Sequence, residues 1–340
     1  MKIDTIAFDP RLEKVPGQAI DAEAAGYDGL WSAETGHDPF LPLVLAAEHS
    51  DTIELGTAIA VAFARNPMSM AYLAHDLQSY SGRFILGLGS QIKPHIEKRF
   101  SMPWSSPARR MKEYIEALHA IWDTWNEGGP LRFKGEFYTH VLMTPFFAPP
   151  PSPHGKPRVF LAAVGPLMTK VVGEVADGLM AHGFTTESYL REVTVPTLRS
   201  AAEAAGRDPE TIEIALPVFV VTGRDAADVQ ASEVAVRQQI AFYASTPAYR
   251  GVLEHHGWGD LQGELNAMSK RGEWGEMADL IDEEMLATFA VIGEPAQVGR
   301  EIVARYGDIA DRISFYTRPD GLDRETLATI MAAIREAEAT

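Results

Sequence analysis

Residues 53–91 carry the pattern that most limits how this chain can fold. Residues 53–61 mix β-branched and small side chains without polar alternation, which is typical of a parallel strand buried on both faces. Pro67 is suited to the first position of a helix that runs to Ser81, with apolar residues at helical spacing. A second strand, residues 84–91, follows at once. This order predicts a strand-helix-strand unit with parallel strands.

The same alternation recurs along the 340 residues. Eight alternating strands are the number found in a (β/α)8 barrel. An open, doubly wound sheet would need G-x-G-x-x-G at the first turn, and DPRLEKVPG lacks it. We therefore predict one α/β domain, residues 1–340, folded as a (β/α)8 TIM barrel with insertions at about 92–157 and 224–311. The candidate strands are residues 3–8, 29–34, 53–61, 84–91, 159–164, 178–182, 212–222 and 312–317.

Composition limits the classes of function. A formal net charge of −17 argues against nucleic acid or an anionic membrane as the partner. No cysteine is present, so redox chemistry would need a bound organic cofactor. No apolar run approaches the ~20 residues that span a bilayer, and the first residues carry no secretion signal, so a cytoplasmic protein is expected.

Ligand sites of barrel enzymes lie at the carboxyl ends of the strands. Gly87 and Gly89 lie two residues apart and face the same way, which admits either close packing or a flat ligand. Gly165 and Pro166 open a helix whose first amides suit a phosphate. His182 is expected to face the barrel mouth, where it contacts a ligand or packs inside the barrel.

Several motifs together resemble the bacterial luciferase-like family, which includes coenzyme F420-dependent oxidoreductases and FMN-dependent monooxygenases. They are a G-T-x-x strand, R-x-P at 65–67, S-G-R-F, L-G-L-G-S, a G-x-F-Y before a proline-rich run, and G-P-x-x-x-K-x-x-x-E-x-A-D-G at 165–178. The match is closest to the F420 branch. The resemblance implies a homodimer and a planar cofactor bound at the barrel mouth.

The resemblance also implies individual site residues. A cis peptide between Ala58 and Ile59 would lie beneath the cofactor ring. Glu34 matches a family acid, whereas Thr35 stands where relatives carry histidine, so an acid-base role would move to His37 or be lost. Glu34 and His37 are the catalytic candidates, and no metal ligands are expected. The cofactor-binding candidates are Glu34, Thr35, Ala58, Ile59, Gly87, Gly89, Ser90, Val164, Gly165, Pro166, His182 and Gly183.

The resulting hypothesis is an F420-dependent oxidoreductase that transfers a hydride between coenzyme F420 and a small organic substrate. The main alternative is an FMN-dependent two-component monooxygenase of the same family. A metal-dependent barrel hydrolase is disfavoured because the first strand lacks the H-x-H that such enzymes use. A non-catalytic flavin-binding relative is the remaining alternative, because of Thr35. The basic residues available for the acidic tail of F420 are Lys93, Arg65 and Lys170, and weaker substrate candidates are Tyr243, Tyr249, His256 and Trp258.

Overall fold

The computed structural model describes residues 1–7, 9, 11–317 and 321–339. Within these residues, eight parallel strands form a closed barrel, in which the last strand pairs with both the first and the seventh. The predicted TIM barrel is confirmed, although Phe8 and Pro10 lie outside the described residues. The barrel strands are β1 (Lys2–Ile6), β2 (Gly29–Ser32), β3 (Glu54–Thr57), β4 (Phe84–Gly89), β5 (Arg158–Ala163), β6 (Gly178–Ala181), β7 (Glu213–Val221) and β8 (Arg312–Tyr316).

Helices surround this barrel. Pro67–Ser81 has the predicted bounds: the Asn66 side chain accepts a hydrogen bond from the Ser69 amide at 2.9 Å, and Gly82 ends the helix with φ 69°. Among the described residues, no helix is both long and apolar enough to cross a membrane. The α-helices are Val15–Ala24, Phe40–Glu48, Pro67–Ser81, Pro107–Glu127, Pro166–Val175, Glu187–Tyr189, Val195–Ala204, Ala226–Ala244, Arg250–His255, Gly259–Arg271, Trp274–Met277, Glu283–Phe289, Pro295–Tyr306 and Arg324–Glu338.

The second insertion differs from its prediction in detail. Within this insertion the sequence predicts one helix over 275–286, which the structure interrupts because Asp282 caps a new helix by accepting a hydrogen bond from the Met285 amide at 2.8 Å. A short strand, Ala290–Ile292, pairs with the end of β7, and the helix Pro295–Tyr306 packs against Arg324–Glu338. The strand was not predicted, because three residues are too few to show a period, and the helix Pro295–Tyr306 was missed as well.

Charged side chains fill the base of the barrel. Arg312 is fully buried and donates two hydrogen bonds of 2.8 Å to Asp4, and it also pairs with Glu54. Burial raises the pKa of Asp4 even though Arg312 acts in the opposite direction. Because side chains of a strand alternate between faces, Tyr316 shares the inner face of β8 with Arg312. Arg312 therefore marks the base of the barrel, and Tyr316 marks its mouth.

Candidate active site

A bulge at the end of β3 holds one of the catalytic candidates. The strand predicted over 53–61 is broken at the Ala58–Ile59 peptide, which is cis, as the resemblance implies. The Glu34 amide donates to the Ile59 carbonyl at 3.3 Å, and the Glu34 carboxylate accepts from the Val61 amide at 2.7 Å. Backbone hydrogen bonds therefore place the Glu34 side chain directly beside the bulge.

Arg65 is the second partner of Glu34. Its guanidinium lies 2.6 Å from the Glu34 carboxylate and 2.9 Å from that of Asp38, and only 18% of its side chain is exposed. Burial opposes the charged form, but hydrogen bonds to Glu34 and Asp38 raise the pKa of Arg65 above its usual value. The prediction that Arg65 is available for an acidic cofactor tail needs correction, because both of its arms are already paired.

The loop after Glu34 is exposed. The Thr35 carbonyl accepts a hydrogen bond from the Arg99 guanidinium. His37 is exposed and makes no hydrogen bond, ion pair or ring contact with any residue that the structure describes. The structure thus brings Arg65, rather than His37, against Glu34, and a catalytic role for His37 stays a prediction.

Protein atoms fill the space beside the two predicted glycines. A Cβ atom at Gly87 would collide with the Thr57 carbonyl oxygen, and one at Gly89 would lie 2.8 Å from the Ile59 side chain. The interpretation that both glycines leave room for a ligand is therefore revised, because they make room for β3 and its bulge. Ser90, which follows β4, donates a hydrogen bond of 3.0 Å to the Gln91 carbonyl.

The turn after β5 contains Gly165, and the space beside this glycine is open. Val164 is half-buried, and Gly165 precedes the helix Pro166–Val175. A Cβ atom at Gly165 would meet nothing within 4 Å, and the first turn of the helix carries no acidic residue and no side-chain cap. Pro166 has no amide hydrogen, and the Met168 and Thr169 amides both donate to the Gly165 carbonyl at 3.1 Å, which leaves the Leu167 amide without a backbone acceptor among the described residues. The positive end of the helix dipole and this amide favour an anion at the turn.

His182 lies among tyrosines at the mouth of the barrel. Its ring stacks on Tyr249 with centroids 4.6 Å apart and meets Tyr243 edge-on at 4.5 Å. Its Nδ1 atom accepts a hydrogen bond of 3.0 Å from the Phe184 amide. Burial lowers the pKa of His182 to about 4, so the ring is neutral near pH 7. The next residue, Gly183, is also near the Tyr316 ring: a Cβ atom at this position would lie 3.5 Å from it.

The tyrosines beside His182 are linked to one another. The hydroxyls of Tyr243 and Tyr316 form a hydrogen bond. Burial is the largest cause that raises the pKa of Tyr243, and the neighbouring Tyr316 raises it further. The same two causes raise the pKa of Tyr249 to about 12. His256 and Trp258 instead stack on each other with centroids 4.7 Å apart. Of the four aromatic candidates in the second insertion, Tyr243 and Tyr249 are the two that contact His182.

Two buried polar residues near the bulge were not predicted. The guanidinium of Arg110 lies 4.5 Å from the Phe63 ring and donates to the Tyr138 hydroxyl at 2.8 Å. The Tyr114 hydroxyl is buried without a hydrogen-bond partner among the described residues, and burial raises its pKa. Arg110 and Tyr114 are four residues apart in Pro107–Glu127 and share its buried face, so helical spacing could have indicated both.

Other regions offer less chemistry. Across residues 1–7, 9, 11–317 and 321–339, no group of three or more His, Asp or Glu side chains could hold a metal ion. A cavity of about 350 Å³ lies near the amino ends of β7 and β8, away from the mouth. Its charges pair with one another, as in the ion pairs Arg191–Asp308 at 2.7 Å and Arg199–Glu210 at 2.9 Å. The mouth therefore remains the candidate site.

The fold and the mouth together define a barrel of the luciferase-like class. Residues 3–312 match the family described as luciferase-like monooxygenase, and the chain belongs to this family. An uncharacterized protein of Mycobacterium tuberculosis is 55% identical over 304 residues, which are 89% of each chain. The 5,10-methylenetetrahydromethanopterin reductase of Methanolobus tindarius is 26% identical over 302 residues, or 86% of each chain.

Solved structures share the same fold. The coenzyme F420-dependent tetrahydromethanopterin reductase from Methanopyrus kandleri superimposes with a TM-score of 0.77. Its sequence is 22% identical, and the alignment covers 97% of this chain and 96% of that one. At this identity the similarity establishes the fold and leaves the cofactor to be inferred from the site.

Proposed function

We propose that this protein is an F420-dependent oxidoreductase that transfers a hydride between coenzyme F420 and a small organic substrate. The observation that carries the proposal is the open, uncapped start of the helix after Gly165, at the same barrel mouth as the bulge beside Glu34. Similarity to an F420-dependent reductase over nearly the whole chain supports the choice of cofactor. When bound, F420 would supply or accept the hydride.

The residues present fit such a cofactor. A planar ring needs a flat, partly apolar surface, and the half-buried Ala58–Ile59 bulge offers one. A phosphate needs an unpaired amide and an absence of negative charge, as at Leu167 in the first turn of Pro166–Val175. Lys93 is exposed and 3.9 Å from Glu97, so it can move toward an acidic tail. Arg65 cannot do so without giving up Glu34 and Asp38.

Glu34 and Arg65 are proposed to position the ring. One oxygen of the Glu34 carboxylate accepts from both the Val61 amide and Arg65, and the other oxygen has no partner among the described residues. That second oxygen is available to accept a hydrogen bond from a ligand. The Ile59 side chain packs against Gly89, where it would support the ring from below. His182 would border the opposite side of the same opening.

A pair of variants at Gly165 tests the phosphate assignment. Any residue fits there, because φ is −102° and the space beside the Cα atom is open. Gly165→Asp places a negative charge where the phosphate is proposed, and Gly165→Asn is its neutral match in shape. We expect Gly165→Asp to weaken F420 binding roughly tenfold or more relative to Gly165→Asn, measured by fluorescence titration. Equal affinities for the two variants would contradict the assignment.

The FMN-dependent monooxygenase remains the second candidate, because the matching family is described as luciferase-like monooxygenase. FMN also carries a phosphate, so the Gly165 variants alone do not distinguish the two cofactors. The acidic tail, which F420 has and FMN lacks, does distinguish the two cofactors. Lys93→Ala is expected to weaken F420 binding more than FMN binding, and F420 affinity is expected to fall more steeply with salt.

A second copy of the chain is the proposed protein partner. The helices Phe40–Glu48 and Pro67–Ser81 pack side by side and leave apolar residues on their outer faces. The exposed fractions are 56% for Leu41, 46% for Val44 and 57% for Tyr80. A twofold axis beside this face would let the same apolar residues of both copies cover one another.

A further inference from the structure

The mouth beside β6 carries hydrogen-bond donors that the described residues do not use. Nδ1 of His182 accepts from the Phe184 amide, so the proton of the neutral ring is on Nε2. Within the described part of the chain, no atom accepts a hydrogen bond from Nε2. Tyr243 and Tyr316 share one hydrogen bond, which uses one of their two hydroxyl protons and leaves the other free.

These donors lie on one wall of the barrel mouth. Met180 packs inside the barrel beside Trp31 and Phe160, and His182 follows two residues later on the same face. Tyr316 occupies the corresponding inner position at the end of β8, where its ring lies 5.0 Å from that of Phe219. The ring of Tyr243 contacts both His182, at 4.5 Å, and Tyr316, at 6.1 Å. The wall is therefore aromatic and continuous.

Among the described residues, no charged side chain shifts the pKa of His182, Tyr243 or Tyr249. Burial is the cause that lowers the pKa of His182, and the other groups that affect Tyr243 and Tyr249 are tyrosines. A carboxylate brought here would lose its hydration without gaining a cation, which is costly in a buried site. A neutral carbonyl oxygen would gain two hydrogen bonds at a smaller desolvation cost.

We propose that His182 and the Tyr243–Tyr316 pair bind the carbonyl oxygen of an uncharged, flat organic substrate. The His182 Nε2–H and the free tyrosine hydroxyl donate to that oxygen, while the rings of Tyr243 and Tyr249 contact its planar body. This inference rests on the proposed function for describing the ligand as the substrate. The binding chemistry itself depends only on the residues of the wall.

The test uses 4-(dimethylamino)cinnamaldehyde, whose absorbance band moves to longer wavelength when its carbonyl accepts hydrogen bonds. Its propenyl analogue, which lacks the carbonyl, reports apolar contacts alone. His182→Phe and the double variant Tyr243→Phe/Tyr316→Phe remove donors but keep the rings. Tyr27→Phe is the matched control, because Tyr27 precedes β2 at the opposite end of the barrel. Circular dichroism confirms that each variant is folded.

We expect the aldehyde to show a red shift with the native protein and with Tyr27→Phe. Each donor-removing variant is expected to reduce its affinity roughly three- to tenfold and to shrink the shift, while affinity for the propenyl analogue stays unchanged. An unshifted band, or equal losses for aldehyde and analogue, would overturn the inference. A retained red shift in a protein that binds neither F420 nor FMN would support this inference while contradicting the proposed function.

Discussion

Glu34 and Arg65 form an ion pair of 2.6 Å at the carboxyl end of the barrel, in which 5% of the first side chain and 18% of the second are exposed. The pair joins the end of β2 to the segment after the bulge of β3. Charged groups this well buried stabilise a structure mainly by satisfying one another, so removing one leaves a costly unpaired partner. The pair therefore holds the shape of the proposed ring-binding surface.

The first prediction concerns this pair. Glu34→Gln is expected to lower the free energy of unfolding by about 2 kcal/mol, because Arg65 loses a buried counter-ion. Asp38→Asn removes the other, more exposed partner and is expected to cost below roughly 1 kcal/mol. Urea denaturation measures both changes. If Asp38→Asn proved as costly as Glu34→Gln, the pair would not be the element that holds the bulge.

The second prediction concerns Gly87. A side chain there meets the Thr57 carbonyl, so Gly87→Val is expected to lower the free energy of unfolding by roughly 3 kcal/mol. Gly89→Ala presses on the Ile59 side chain, which can adjust, and is expected to alter cofactor affinity with a smaller stability loss. Thermal unfolding and cofactor titration separate the two. A fully stable Gly87→Val protein that has lost cofactor binding would restore the direct-contact interpretation.

The third prediction follows from the lowered pKa of His182. The folded ring takes up a proton near pH 4, whereas the unfolded chain does so near 6.5, so the unfolded state binds more protons between these values. The contribution of neutral His182 to the free energy of unfolding is therefore fully present above pH 6.5. It is lost as the pH falls toward 4, and the total loss is roughly 3 kcal/mol. The groups in ring contact with it, Tyr243 and Tyr249, stay neutral throughout this range.

Unfolding measured between pH 4 and 7 tests the dependence, with His182→Phe as the reference. The native protein should lose stability more steeply than His182→Phe as the pH falls. Parallel slopes for the two proteins would mean that His182 titrates normally and is not buried as the structure indicates.

The fourth prediction concerns assembly. Leu41→Glu is expected to convert a dimer into a monomer, because it places a charge within the apolar face of Phe40–Glu48. Ile20→Glu is the control, since Ile20 is 52% exposed on a different helix. Sedimentation velocity at micromolar concentration measures the masses. A native protein that sediments as a monomer would exclude this interface.

Local sequence patterns were sufficient where neighbouring residues determine the structure. Pro67 and Gly82 mark the bounds of their helix, and a run of buried residues marks β4, because caps and short-range periodicity act within a few residues. The packing of Thr57 against Gly87 could not be predicted, since it depends on how two strands meet around a bulge. The pairing of Arg65 with Glu34 likewise links residues 31 positions apart.

The contacts of His182 show the same limit. Its position after β6 was predicted, but the tyrosines around it come from the second insertion and from β8. Tyr316 is 73 residues from Tyr243, and no local pattern indicates that their hydroxyls meet. Site residues supplied by separate elements become visible only once the barrel is closed.

Equilibrium binding of the two cofactors tests the central claim most directly. The native protein is titrated with F420 and, separately, with FMN under the same buffer and salt, and tryptophan fluorescence reports each dissociation constant. We predict saturable F420 binding that is at least roughly tenfold tighter than FMN binding and that weakens as salt is added. Tight FMN binding with no detectable F420 binding would contradict the account and assign the protein to the monooxygenases of its family.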